Sequence, residues 1–392
     1  MVAPLKTIHI IPMVKVTRRP TAGIFLCVAT VLLWLALAFS GCSLHARKDT
    51  WTAFLPADSD LIGFKDAQGR IKIEPRYSGF TIARKFDHIM AVMEQKEDSY
   101  DSYYLTRSGK KVGRDSIYVH DNSPDCESEG FIRFRDPATE KVGLYDRNGE
   151  IAIPAAYDAL TQARNGLVVG LQGARKAYWD KQQHADCNHF TWEGGREVLL
   201  DTSNRILIVD FKGGARLDLF SVDIGPKPAP NDTRRIYLAS DGRYYAFIDF
   251  NQEFENWLQT DLLAALTVVA LANNTYHAIF FWKEPEGWKR AASRAFIERN
   301  FELIHDRLAA LLKSDTDYFI SMSGLNPFIF KGDEFDPYFN NCGDPKLWQS
   351  PVMNVVINRQ IDGRAFQDHF DFLKTNAGYK LISLTIRAAE LN

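Results

Sequence analysis

The 392-residue sequence is short of the features by which many functions declare themselves. It carries almost no net charge, formally −2, so nothing in the balance points to a polyanionic partner. The first 41 residues hold Lys6, Lys15, Arg18 and Arg19 and no acid, so the remainder is mildly acidic, which argues against nucleic acid or anionic lipid surfaces as ligands. There is no Gly-x-Ser-x-Gly elbow, no His-Glu-x-x-His helix and no phosphate loop, so the common enzyme classes with local signatures are unsupported. Cysteine is scarce, with five in all, too few for a disulfide-built scaffold. Long apolar runs are scarce too: there is one.

That run, AGIFLCVATVLLWLALAF, follows the basic segment and precedes SGC and the polar SLHARKDT, the three-part layout of an export signal. The ending FSGCS resembles a bacterial lipoprotein box, in which a small residue precedes a cysteine that is acylated. Gly41 and Cys42 fill those places, with cleavage after Gly41 and lipid such as palmitate on Cys42; Phe39 departs from the Leu usual at the box's first position. The alternative is a single uncleaved N-terminal membrane anchor, for which residues 22–39 are about long enough. Both readings place the rest of the chain outside the inner membrane. For the lipoprotein, the outer membrane facing the periplasm is the preferred address.

Cys27 lies in the apolar run, which leaves Cys126, Cys187 and Cys342 for an oxidising compartment. A disulfide between Cys126 and Cys187 is expected because both fall in the same proposed domain, with Cys342 left as a buried thiol. His184, Cys187 and His189 have zinc-ligand chemistry, but their spacing matches no familiar metal framework, and the segment reads as a polar loop. No metal and no cofactor is expected.

Eighty residues apart lie GFKDAQGRIKIEPRYSGF (63–80) and GLYDRNGEIAIPAAYDAL (143–160). Gly63, Asp66, Gly69, Ile71, Ile73 and Tyr77 recur as Gly143, Asp146, Gly149, Ile151, Ile153 and Tyr157, with a weaker copy in which Thr106 takes the aspartate's place. Internal repetition of this kind comes first in any fold assignment. Each unit reads as a hairpin whose turn is made by Asp66 and Gly69, or Asp146 and Gly149. The Asp-x-x-Gly step is not a calcium loop, since the twelfth position, where such a loop needs glutamate, is Tyr77 or Tyr157. The isoleucine pairs share one strand face, which is expected to be core.

The order strand, Asp-x-x-Gly turn, Ile-x-Ile, Tyr, then a Gly-Leu-Val-Val strand at 166–169 resembles the WG-repeat family of bacterial proteins. Ile62 and Val142 stand where the family's tryptophan would be, so the repeats are divergent. The resemblance implies a β-rich array, often in exported or surface-attached proteins, with no shared catalytic residue. Such an array leaves an extended surface suited to binding a protein or polymer, or, as the alternative, serves as a spacer that holds the next domain away from the membrane.

DIGPKPAPNDTRR (223–235) reads as a linker. Beyond it, helical spacing over residues 251–274 and again from Trp288 to Leu311, with strands at 276–282, 318–320, 352–358 and 379–386, predicts an α+β domain of no recognised family. The expected organisation is a signal or anchor at 1–41, a tether at 42–59, an all-β array of antiparallel hairpins at 60–222, the linker, and the α+β domain at 236–392. The loop KGDEFDPYFNNCGD gathers Asp333, Glu334 and Asp336 among Phe335, Tyr338 and Phe339, which suits a carbohydrate or peptide surface or, as the alternative, the catalytic carboxylates of a periplasmic hydrolase. The preferred expectation is a lipid-anchored envelope protein that binds or scaffolds an envelope protein or polymer, without catalysis.

Overall fold

Strand, tight turn, strand is the unit that recurs most often through this computed structural model, which describes residues 49–97, 99–178, 190–228, 233–387 and 391. The signal region, Gly41, Cys42, the His184–His189 segment and Cys187 therefore lie outside the described residues. The described residues all fall in one compact unit, which begins at Asp49. Among the described residues no helix is long and apolar enough to cross a membrane.

The turns at Asp66, Thr106, Asp146 and Asp201 are closed in one way. The backbone N–H of the first residue donates to the carbonyl four residues on, and the amide three on donates back. The side chain then accepts from the i+4 amide: Asp66 from Arg70, Thr106 from Lys110, Asp146 from Glu150, Asp201 from Arg205. Gly69, Gly109 and Gly149, all at positive φ, supply the left-handed step that ends three of these turns. The carboxylates of Asp66 and Asp146 are thus turn residues.

Glycine is also required where the strands meet. A Cβ on Gly143 would lie 2.6 Å from the Ile153 carbonyl oxygen and from the Phe134 ring, and one on Gly63 2.8 Å from the Ile73 carbonyl and the Phe54 ring. An aromatic from the preceding strand lies across each glycine. Tyr77 and Tyr157 close the units from within, both almost wholly buried. The paired isoleucines do not share one fate: Ile153 is buried, but Ile71 and Ile151 are 50% and 59% exposed. The expectation that both isoleucines of a pair are core is corrected for the first of each, which follows the turn directly, beside a register shift in the hairpin, where little covers it.

A seven-stranded antiparallel sheet holds the first two turns; it runs, in spatial order, through 85–86, 51–54, 62–65, 71–77, 89–95, 100–106 and 111–112. A three-stranded sheet (132–135, 142–145, 151–157) and a four-stranded one (159–160, 167–178, 190–201, 206–209) follow. The Pro-rich segment 223–235 begins in the strand Leu217–Gly225 and ends in Arg234–Leu238, and both of these pair with Tyr244–Asp249 in one sheet. Its two sides are therefore joined through a shared strand.

The last sheet has six strands, in the order 287–292, 275–283, 378–385, 364–375, 352–361, 318–323, all antiparallel except the pair 275–283 with 378–385. Helices α1 (Phe250–Trp257), α2 (Val268–Asn273) and α3 (Ser293–Ala310) cover one face through Phe254, Leu271, Phe296, Ile304 and Leu308. The expected single helix over 251–274 is broken. After α1 the chain passes through a π turn and a 3₁₀ turn, and Thr267 starts α2 by accepting from the Ala270 amide at 3.1 Å. Trp288, expected in the next helix, lies in a strand. The opposite face is covered by the carboxylate-rich loop, whose Phe335 is fully buried with Phe280, Phe330 and Ile382. The expectation that the loop's aromatics form a binding surface is corrected accordingly: Phe335 is core, and Tyr338 and Phe339 pack against it.

Candidate functional site

The carboxylate-rich loop does more than cover its sheet. The Asn341 carbonyl accepts from the Arg84 and Lys85 amides at 2.8 and 2.9 Å, and its amide nitrogen donates to Asp87 at 3.0 Å. Cys342 is disulfide-bonded to Cys126. The expected Cys126–Cys187 bond is therefore corrected: Cys126 is taken by a partner 216 residues along the chain, because the loop is brought back against the first sheet. Cys342 is buried, as expected, but is not a thiol.

The three carboxylates proposed as a hydrolytic centre are drawn apart. Glu334 divides its oxygens between His277 Nε2 at 2.5 Å and Arg290 at 2.7 Å, and Asp336 pairs with Lys85 at 2.9 Å. Asp333 offers a backbone carbonyl to the Asp336 amide. Among the described residues no cluster of three or more His, Cys, Asp or Glu is placed to hold a metal ion.

Beside the disulfide opens a cleft of about 350 Å³, with one wall from the hairpins and the other from the 340–348 segment. Two arginines face it in contrasting states. Arg133 donates through Nε and Nη2 to the two oxygens of Asp125, at 3.0 and 2.6 Å, and through Nη1 to the Leu160 carbonyl. Burial alone would lower its pKa, but the Asp125 carboxylate outweighs this and raises it. Gln162 adds a 3.0 Å bond to Asp125. That charge pair is complete.

Arg164 is different. Its guanidinium lies 4.5 Å from the centre of the Trp348 ring, a cation–π contact. Its Nε is closed off from solvent and has no hydrogen-bond partner, and no described carboxylate lies within ion-pair distance of it. Burial, with Arg133 adding, pushes the group down to about 10, so it stays charged at neutral pH. The backbone explains its placement. Asn165 and Gly166 both have positive φ, the type I′ hairpin turn, and the Arg164 and Leu167 main chains exchange hydrogen bonds across it. Glu129 braces the turn, accepting from the Asn165 and Gly166 amides at 2.6 and 2.8 Å.

Leu160, Thr161, Gln162 and Arg164 thus form part of the hairpin wall of the cleft. Residues 143–169 match the model of a family described as WG containing repeat. These four residues lie inside the matched segment, as do Gly143, Asp146, Gly149 and Tyr157, whereas the rest of that wall, from Tyr118 to Arg133, precedes it. The match covers one of the stretches in which the resemblance was seen, with Val142 just outside it. No curated protein and no solved structure matches the chain.

Sequence reading did not single out Arg133, Arg164, Asp125 or Trp348. The Asn165-Gly166 pair is a strong local turn signal. What makes Arg164 unusual depends on Trp348, which nothing local connects to it.

Proposed function

We propose that the protein is a lipid-anchored envelope protein that works by binding and not by catalysis, as a divergent WG-repeat array over 60–222 joined to an α+β domain over 236–392. The observation that carries the binding reading is the cleft at the seam, with part of one wall in the WG containing repeat segment and an arginine that no described group neutralises. The Cys126–Cys342 bond supports an oxidising compartment outside the inner membrane. The ion pairs of Glu334 and Asp336 weigh against the hydrolase alternative, since a general acid and base share a reacting bond and these two face different cations.

The test is affinity capture from solubilised envelopes with the full chain. A saturable protein or polymer partner is the expected result. No partner, together with a hydrolytic activity on envelope polymers that is lost on joint alanine substitution of Asp333, Glu334 and Asp336, would overturn the reading. Cys42→Ser is expected to release the protein from membranes or block its processing; unchanged mass and attachment would replace the lipid with an uncleaved anchor.

A further inference from the structure

We propose that the seam cleft binds a single carboxylate group carried on a small, otherwise uncharged ligand, with Arg164 as its anchor; this rests on the binding reading above. Arg164 has a nitrogen sealed from water with nothing to donate to, and no described acid pairs with the charge. An unpaired charge in such a place is costly, and an anion meeting the guanidinium from the cleft, through nitrogens other than the sealed Nε, relieves it.

The valence of the anion follows from its neighbours. Arg133 is already matched by Asp125, and Asp344 contributes a second carboxylate to the cleft. Arg164 is the guanidinium in the cleft that no described carboxylate pairs, since Asp344 accepts from Asn340 instead. A phosphate dianion would bring two negative charges to it and face both aspartates; a carboxylate brings one, and its planar pair of oxygens fits the guanidinium fork. The cleft volume of about 350 Å³ is at the lower end of the range for small-molecule sites. Trp348 and Tyr118 supply aromatic walls for the body of the ligand.

Two sources present such a group: the C-terminus of a short peptide and a uronic acid. The experiment is calorimetric titration of the full-length protein with acetyl-dialanine and its C-terminal amide, with glucuronate and glucose, and with inorganic phosphate. The acid of at least one pair should saturate and exceed its neutral partner by about tenfold or more, with phosphate weaker than that acid. The pair that responds names the source. Arg164→Gln should abolish the preference for the acid, and Arg164→Lys should retain part of it.

Equal affinity for acid and neutral partner, a preference for phosphate, or an Arg164→Gln protein that still prefers the acid would each overturn the assignment while leaving the binding reading intact. Absence of saturation with every probe to millimolar concentration would overturn it as well, and envelope capture then judges the binding reading separately. The acid-against-neutral comparison uses the unaltered chain, so it decides the matter even if Arg164→Gln fails to fold.

Discussion

Single side chains do unequal work in the recurring turn. Asp66 accepts from the Gln68 and Arg70 amides and from Arg70 Nε, at 3.0, 3.0 and 2.7 Å. Burial alone would raise its carboxyl, but these donors outweigh burial and lower it to about 2. A depressed carboxyl stabilises the fold fully above its ordinary value of 3.8, and that contribution is lost as pH falls through about 2. Asp66→Asn should therefore be less stable than the parent at neutral pH, and the difference should shrink steadily below about pH 4; denaturant melts across that range check it. Gly143→Ala places a methyl group against the Ile153 carbonyl and Phe134, and overpacking of this kind costs about 1–3 kcal/mol, readable as a lower urea midpoint at unchanged slope. The aspartates, glycines and tyrosines of these units could be read from the sequence because each answers a local demand of backbone geometry. Arg164 could not, since an unmatched charge is a statement about everything around it.

Elements were readable where periodicity and turn chemistry agreed. The hairpins at Asp66 and Asp146 form where Asp-x-x-Gly predicts them. Where the signal was apolar spacing alone, the reading ran too far: residues 251–274 keep helical spacing, yet Leu266 leaves the helix and Thr267 begins another. Thr267→Ala removes the acceptor for the Ala270 amide and should cost about 1 kcal/mol, a lowered Tm in calorimetry, with the loss concentrated in α2 by hydrogen exchange. The strand Arg364–Thr375 was missed because its alternation is interrupted by charge; Asp368 is fully buried on it, held by Arg307 and Arg359. Paired in this way, a buried acid no longer signals a surface strand.

For the molecule as a whole, the strongest correction concerns how distant parts are held together. Sequence reading paired the two cysteines that fall in the same proposed domain, whereas the loop around Cys342 docks through backbone hydrogen bonds to Arg84 and Lys85 as well as through the bond to Cys126. Such docking leaves no local trace. Because the bond spans 216 residues, Cys342→Ser should destabilise the fold by about 2–5 kcal/mol, and reductant should lower the Tm of the parent protein but not of the variant. Non-reducing peptide mapping should recover the Cys126 and Cys342 peptides as one species; a Cys126–Cys187 species would contradict the arrangement.

The Cys126–Cys342 bond also sets a timetable. A chain is made from its N-terminus, so Cys126 emerges long before its partner and meets Cys187 first. An early crosslink to that nearer cysteine would have to be exchanged before the cleft acquires its second wall. Passing from such a crosslink to the Cys126–Cys342 bond is thiol exchange and not a further oxidation, so the arrangement asks for disulfides to be reshuffled as well as formed.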